Sequence, residues 1–183
     1  LQRNAVRSLP IFSPQSAAGR KRPEMKIRIT LSRQALDLFD ETGKCLRSYT
    51  VSTSKMGPGE QRGSNCTPRG RHIVRARIGA DQPENAVFVR RRPTGEIYSR
   101  ELADKHPGRD WILTRILWLS GCEPGRNRLG DVDTMRRFVY IHGTPDGSEL
   151  GQPGSIGCVR MRNRDILELF DLVPAKTAVE ITE

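Results

Sequence analysis

Hydrophobic and polar residues alternate with a period of two through most of this chain beyond residue 25. Ile27, Ile29 and Leu31 interleave with Lys26, Arg28 and Thr30, the pattern of a strand with one buried face. Leu36, Leu38 and Asp40 continue as a second strand, Glu41-Thr42-Gly43-Lys44 supplies a hairpin turn, and Leu46, Tyr49 and Val51 mark the return. A Gly/Pro-rich loop over 56–70 precedes a further alternating strand at His72, Val74, Ala76 and Ile78. Trp111 to Leu119 is the most apolar run and predicts a central strand, with a turn of helix the alternative for so short a segment. Phe138 to Ile141 predicts a strand that delivers His142, with Phe138, Tyr140 and His142 on one face. Residues 79–110 are polar apart from Val87-Phe88-Val89, and predict an excursion from the sheet whose aromatic and basic residues border a cleft.

The period changes once. Asn163 as N-cap, Asp165 in the first turn, and Ile166, Leu169, Phe170 and Val173 at helical spacing predict a helix that Pro174 ends. Ala178, Val179 and Ile181 then predict a last strand. Six or seven strands with one late helix imply a mostly β domain, a sandwich or open barrel.

At 183 residues the chain fits one domain plus a tail. Residues 1–24, rich in Arg, Ser and Pro and without periodicity, are expected to be a flexible basic leader, with the folded domain over 25–183 and Met25 its expected natural start. Of the net charge of +10, the leader carries +4, which leaves a moderately basic domain surface suited to anionic polymers. No apolar run is long enough to span a bilayer, and residues 1–20 lack the apolar core of a secretory signal. Cys45, Cys66, Cys122 and Cys158 lack the C-x-x-C spacing of metal or redox motifs; the first three read as small buried or semi-buried side chains. His72 and His106 read as structural or surface residues.

The candidate chemistry lies in residues 142–164, HGTPDGSELGQPGSIGCVRMRNR. Gly143, Gly147, Gly151, Gly154, Gly157, Pro145 and Pro153 force the chain between His142 and Cys158 to loop, which can bring imidazole and thiol face to face. A histidine that accepts the thiol proton makes a nucleophile, and a thiolate standing well below neutral pH is the expectation for such a pair. Backbone N–H groups around Ser155 and Gly157 are candidates for an oxyanion hole, and Arg160, two residues past the cysteine, for binding a carboxylate. Ser155 lacks an Asp–His partner signature and is expected to hydrogen-bond the loop. The set specifies acyl transfer through a thioester.

The segment YIHGTPDGSELGQPGSIGCVRMRNRDILELFDLV resembles the signature of the L,D-transpeptidase catalytic domain, in which H-G-T is followed by S-H-G-C-[IV]-R-[ML] and a helix. IRITLSRQALDLFDETGKCLRSYTVSTSK and CTPRGRH resemble that family's opening hairpin and T-P-x-G element, so the likeness covers most of residues 25–183. It implies a β-sandwich with a short helix after the catalytic cysteine. It assigns Cys158 as nucleophile and His142 as base, with Ser155 and Gly157 presenting the thiol; Gly143, Thr144, Tyr140 and Arg160 are implied to hold the imidazole or the substrate. Where the family usually carries histidine before the Gly-Cys pair, this chain has Ile156. The resemblance further implies attack on a peptidoglycan stem tetrapeptide, loss of D-alanine and a 3→3 cross-link to a second stem, a contribution to cell-wall biogenesis and cell shape. Acylation by carbapenem-type β-lactams and a cell-envelope or periplasmic location follow from it, with no metal, organic cofactor or nucleic acid. The alternatives are an L,D-carboxypeptidase-type hydrolase with the same dyad and a non-catalytic module that binds cell wall or another anionic polymer.

Overall fold

A computed structural model describes residues 24–183, so the leader expected over 1–24 lies, Glu24 apart, outside the described residues. The opening strands are β1 (Lys26–Thr30), β2 (Ala35–Phe39) and β3 (Cys45–Thr50), followed by β4 (Gly70–Ile78), β5 (Ala86–Val89) and β6 (Arg92–Ile97). Helix α1 (Arg100–Lys105) and strand β7 (Ile112–Gly121) lead, through a 3-10 turn at Gly130–Val132, to β8 (Tyr140–Thr144) and β9 (Val159–Arg162). Helix α2 (Asn163–Leu172) and β10 (Ala178–Thr182) complete the order. The mostly β architecture with a short helix after the cysteine matches the sequence expectation.

All ten strands belong to one curled sheet, ordered β3-β2-β1-β10-β4-β7-β5-β6, with β8 and β9 branching from β7. β7 forks the sheet. Its C-terminal half lies between β4 and β8, and its N-terminal end between β5 and β8, with a register shift between Leu113 and Ile116. Alternation then gives two cores. Leu117, Leu119, Ile141, Val159 and Met161 join Ile27, Ile29, Leu36, Leu38 and Val74 under Ile166, Leu169 and Phe170 of α2. On the other face Ile116 and Tyr140 cluster with Ala86 and Phe88, with Ile112, Trp118 and Cys158 against them.

Four local expectations are corrected. Residues 79–110 are not an excursion: Val87 and Phe88 of β5 pair with Leu113 and Ile112, extending the sheet. Helix α1 is a second helix, capped by Ser99, whose side chain accepts the Leu102 N–H at 3.2 Å. β8 starts at Tyr140 because Phe138, at φ 59°, turns out of the strand. The α2 N-cap is Arg162 rather than Asn163, which is buried in the first turn and spends its side chain on tertiary contacts.

Candidate active site

β8 and β9 run parallel, with Ile141 opposite Val159 and His142 opposite Arg160. Ile141, Val159 and Met161 enter the main core, so the period of two puts Tyr140, His142, Cys158 and Arg160 on the opposite face. The connecting loop returns Cys158 to the start of β8, where the Tyr140 N–H donates to Sγ at 3.4 Å and the thiol reaches the Phe138 carbonyl at 3.5 Å. Cys158 lies in the wall of a cleft of about 820 Å³.

The loop is held by its own polar groups. Ser155 is buried, donates to the Cys158 carbonyl at 2.5 Å and accepts the Gly157 N–H at 3.2 Å. Thr67 donates to the Gly157 carbonyl at 3.0 Å. Gly157 sits at φ 124°, a conformation that side chains rarely adopt, and this turns the chain sharply into the cysteine. Ser155 is thus a staple of the loop, and its hydroxyl already takes the Gly157 N–H that was a candidate oxyanion donor.

His142 is fully buried, and its Nδ1 lies 2.7 Å from the Gly143 carbonyl. A carbonyl only accepts, so this contact places the proton on Nδ1 and leaves a lone pair on Nε2. Nε2 is the single buried side-chain polar atom without a hydrogen-bond partner among the described residues. Burial pushes the His142 pKa down, against the pull of the Asp110 carboxylate. Burial likewise pushes the Cys158 thiol up to about 12, with the Tyr140 N–H, Arg160 and Arg137 opposing and Asp110 adding to it. The resting site therefore holds a neutral thiol in reach of a backbone carbonyl and, on the same face of the sheet, a neutral imidazole whose Nε2 engages nothing. This corrects the expectation of a standing thiolate: the enclosure of both groups outweighs the charges around them.

Arg160 is already occupied. Its Nη2 donates to Asp110 Oδ1 at 2.6 Å and its Nη1 to the Gly154 carbonyl at 3.1 Å. It does bind a carboxylate, but one of this chain. Asp110 is placed by the preceding residue, since Arg109 pairs with Glu96 at 2.8 Å and lies 4.5 Å from the Trp111 ring centroid. The remaining cleft wall is basic, with Arg62, Arg90, Arg91, Arg136 and Arg137. Among the described residues no group of three or more His, Cys, Asp or Glu is placed to hold a metal ion.

The family model of the YkuD, L,D-transpeptidase catalytic domain matches residues 24–181. The chain belongs to this family. Within it, this L,D-transpeptidase domain is 46% identical over 89 residues to the YkuD protein of Bacillus subtilis, whose L,D-transpeptidase designation is provisional; the match covers 49% of this chain and 44% of that one. The Bacillus licheniformis YkuD, with the same provisional designation, is 55% identical over 47 residues, 26% of this chain and 28% of the relative. The matched stretches thus span less than half the length of these curated relatives. Among solved structures, L,D-transpeptidase 3 from Mycobacterium tuberculosis in complex with a faropenem-derived adduct superposes with a TM-score of 0.54 at 14% identity, covering 88% of this chain and 61% of that one. An L,D-transpeptidase from Xylanimonas cellulosilytica gives 0.50 at 20% identity, covering 92% and 62%. Both share the fold. The family assignment makes this a domain of peptidoglycan-modifying enzymes. Among the described residues no helix is long and apolar enough to cross a membrane.

Of the site residues expected from sequence, Cys158, Tyr140 and Gly157 line the cleft of this L,D-transpeptidase domain, and His142 is buried behind them. Gly143 and Thr144 do not reach the cleft wall. Gly143 is enclosed by Asn163, Leu113 and Ile166, and buried Thr144 faces the Ser148 hydroxyl at 3.1 Å. Ile156, where the family usually has histidine, is 49% exposed on the cleft wall. All four cysteines are free, and Cys45 is exposed rather than semi-buried. His72 is structural, with Nδ1 2.9 Å from the Gly70 carbonyl and Nε2 3.1 Å from Thr134 Oγ1. Sequence reasoning missed Asp110 and the cleft arginines. The basic and aromatic character of residues 79–110 pointed toward Asp110, Arg90 and Arg91 alone; Arg62, Arg136 and Arg137 lie in other segments and carried no signal.

Proposed function

We propose that this chain is a cysteine L,D-transpeptidase that joins peptidoglycan stems by 3→3 cross-links. The observation that carries the reading is the unpartnered Nε2 of neutral, buried His142 on the same sheet face as Cys158. On substrate entry the thiol leaves the Phe138 carbonyl and passes its proton to Nε2, while sulfur attacks the amide carbonyl that follows the L-centre of the diamino acid in a stem tetrapeptide. The C–N bond breaks, the D-alanine amine leaves with the proton from His142, and a thioester remains. The amine of a second stem then attacks the thioester, its proton moves to His142, and the thiol is restored. Asp110 fixes Arg160 beside the loop and thereby holds the thiol's approach. Because the two groups start neutral, proton transfer and attack are coupled, and catalysis does not depend on a pre-formed ion pair.

This reading places the protein's work in the cell envelope, where cross-linked stems occur, in cell-wall biogenesis and cell shape. It also makes Cys158 the site of acylation by carbapenem-type β-lactams, in keeping with the faropenem-derived adduct on the structural neighbour. The test is incubation with a disaccharide-tetrapeptide pair, followed by mass spectrometry of protein and products. A thioester adduct on Cys158, lost in Cys158→Ala, with cross-linked dimer as product, supports the proposal. Tripeptide alone would shift it to an L,D-carboxypeptidase, and neither adduct nor product would reject it.

A further inference from the structure

We propose that the cleft selects stem peptides with free carboxylates over the same peptides amidated, with Arg91 as the residue that determines this specificity. The inference rests on the transpeptidase reading for the identity of the ligand and on the geometry of Arg91 for the charge preference. Five arginines line the cleft against a single carboxylate, Asp110, which is bonded to Arg160. Arg137 is committed to the Gly59 and Cys66 carbonyls, at 3.1 and 2.7 Å, and Arg62 lies 3.9 Å from Asp131. Arg90, Arg91 and Arg136 have no carboxylate within ion-pair distance among the described residues.

Arg91 occupies a built seat. Val89 pairs with Arg92, so Arg90 and Arg91 form the two-residue turn of the β5–β6 hairpin, at φ 49° and 66°. Asn-Gly is the usual solution for such a turn, since both positions require a left-handed backbone that L side chains disfavour. Two arginines there keep a strained turn, and strain of this kind concentrates where function requires it. The Arg91 guanidinium lies 4.5 Å from the Trp118 ring centroid and 4.6 Å from that of Phe138, and Nη1 donates to the Tyr140 hydroxyl at 3.0 Å. Stacking and this bond fix the plane of the fork while leaving further N–H donors for a planar acceptor. Tyr140 binds Arg91 through its hydroxyl and Cys158 through its N–H, so one residue of the cleft wall links the fork to the reacting sulfur, and a carboxylate on Arg91 lies in the same cleft as Cys158. An amide there loses the charge and sets its own N–H groups against those of the arginine.

The experiment is calorimetric titration of the Cys158→Ala chain with two disaccharide-tetrapeptides that differ only in amidation of the stem carboxylates. The free-acid peptide is expected to bind about tenfold tighter, as a charge-assisted hydrogen bond to arginine implies. In Arg91→Gly, which relieves the positive φ and gives up the contacts to Trp118, Phe138 and Tyr140, the preference falls to about unity. Arg91→Gln gives the same loss with an uncharged polar side chain in place, and Arg92→Gln, on the same hairpin but outside the cleft wall, retains the preference. In turnover, Arg91→Gly raises KM for the free-acid donor and leaves kcat nearly unchanged. Equal affinity for the two peptides, preference surviving in Arg91→Gly, or binding of neither peptide overturns the proposal. Charge preference without turnover in the Cys158 chain rejects the transpeptidase reading alone, and turnover indifferent to amidation rejects the carboxylate reading alone.

Discussion

At the scale of single residues the site depends on Asp110, which faces two ways. It fixes Arg160 at 2.6 Å, and its charge works against ionisation of Cys158. Asp110→Asn removes a negative charge that raises the thiol's pKa and leaves the opposing charge of Arg160 uncompensated. Both changes favour the thiolate, so the inflection of the iodoacetamide alkylation rate is expected at a lower pH than in the parent chain, where burial holds the thiol near 12. Turnover is nonetheless expected to fall about tenfold, because Arg160 loses the partner that holds it beside the loop. An alkylation profile that does not move would remove Asp110 from the electrostatics of the site. Cys158 and His142 were legible in the sequence because glycines and prolines between them declare a loop, and a loop can join two reactive side chains. Asp110 and Arg91 were not, because tertiary structure alone brings them to the cysteine. Arg90-Arg91 even conceals its turn, since arginine is not what a two-residue hairpin normally uses.

At the scale of elements, β8 carries the proposed base and packs Gly143 against Asn163 and Ile166 of α2. Asn163 is itself held in a polar ring: the Asn85 N–H donates to Thr114 Oγ1 at 3.0 Å, Thr114 donates to Asn163 Oδ1 at 2.6 Å, and Asn163 Nδ2 donates to Asn85 Oδ1 at 2.8 Å. This closed ring holds Thr114 at φ 69°, an unusual backbone for a β-branched residue, at the point where β7 changes register. Gly143, next to His142, leaves room for the ring: a Cβ there would lie 2.4 Å from Asn163 Oδ1 and 2.7 Å from the Leu113 carbonyl. Gly143→Ala is therefore expected to cost about 1–3 kcal/mol by overpacking, a drop of roughly 3–10 °C in Tm, and to reduce acylation by displacing the imidazole. Gly147→Ala, with nothing within 4 Å of its Cβ, is the control and should melt with the parent. A Gly143→Ala chain with parental Tm and activity would show that β8 has slack. The opening hairpin, β4 and α2 were readable because their periodicity runs long enough to identify. β5, β6 and α1 were not, being four to six residues each: β5 takes its burial from pairing with β7, while β6 and α1 bury too little to show a period.

At the scale of the whole molecule, two neutral histidines lie buried in different regions, and together they tie global stability to pH. His72, between β4 and the 121–134 segment, is pushed down by burial to about 4, with the Gly70 carbonyl pulling it partly back. His142 is displaced in the same direction, again by burial. A folded-state pKa below the ordinary value of about 6.5 means that the unfolded chain binds more protons between the two values. The stabilisation is then complete above pH 6.5 and is lost as the pH falls toward 4, about 3 kcal/mol for His72 alone. Carboxylates act in a lower window. Arg69 holds Glu60 below the usual carboxylate range and Arg47 does the same for Glu168, so these contributions persist down to about pH 4.5 and fade beneath it. Thermal melts between pH 7.5 and 4.5 therefore isolate the histidines, with Tm expected to fall steadily across that interval. In His72→Gln the absolute Tm drops because the Gly70 and Thr134 contacts are altered, but its slope against pH flattens, since one of the two buried proton sites has gone. A slope as steep as the parent's would mean that His72 is not what couples protonation to unfolding. The same measurement on His142→Gln reads the proposed base by its linkage to folding, a view of its protonation that needs no substrate.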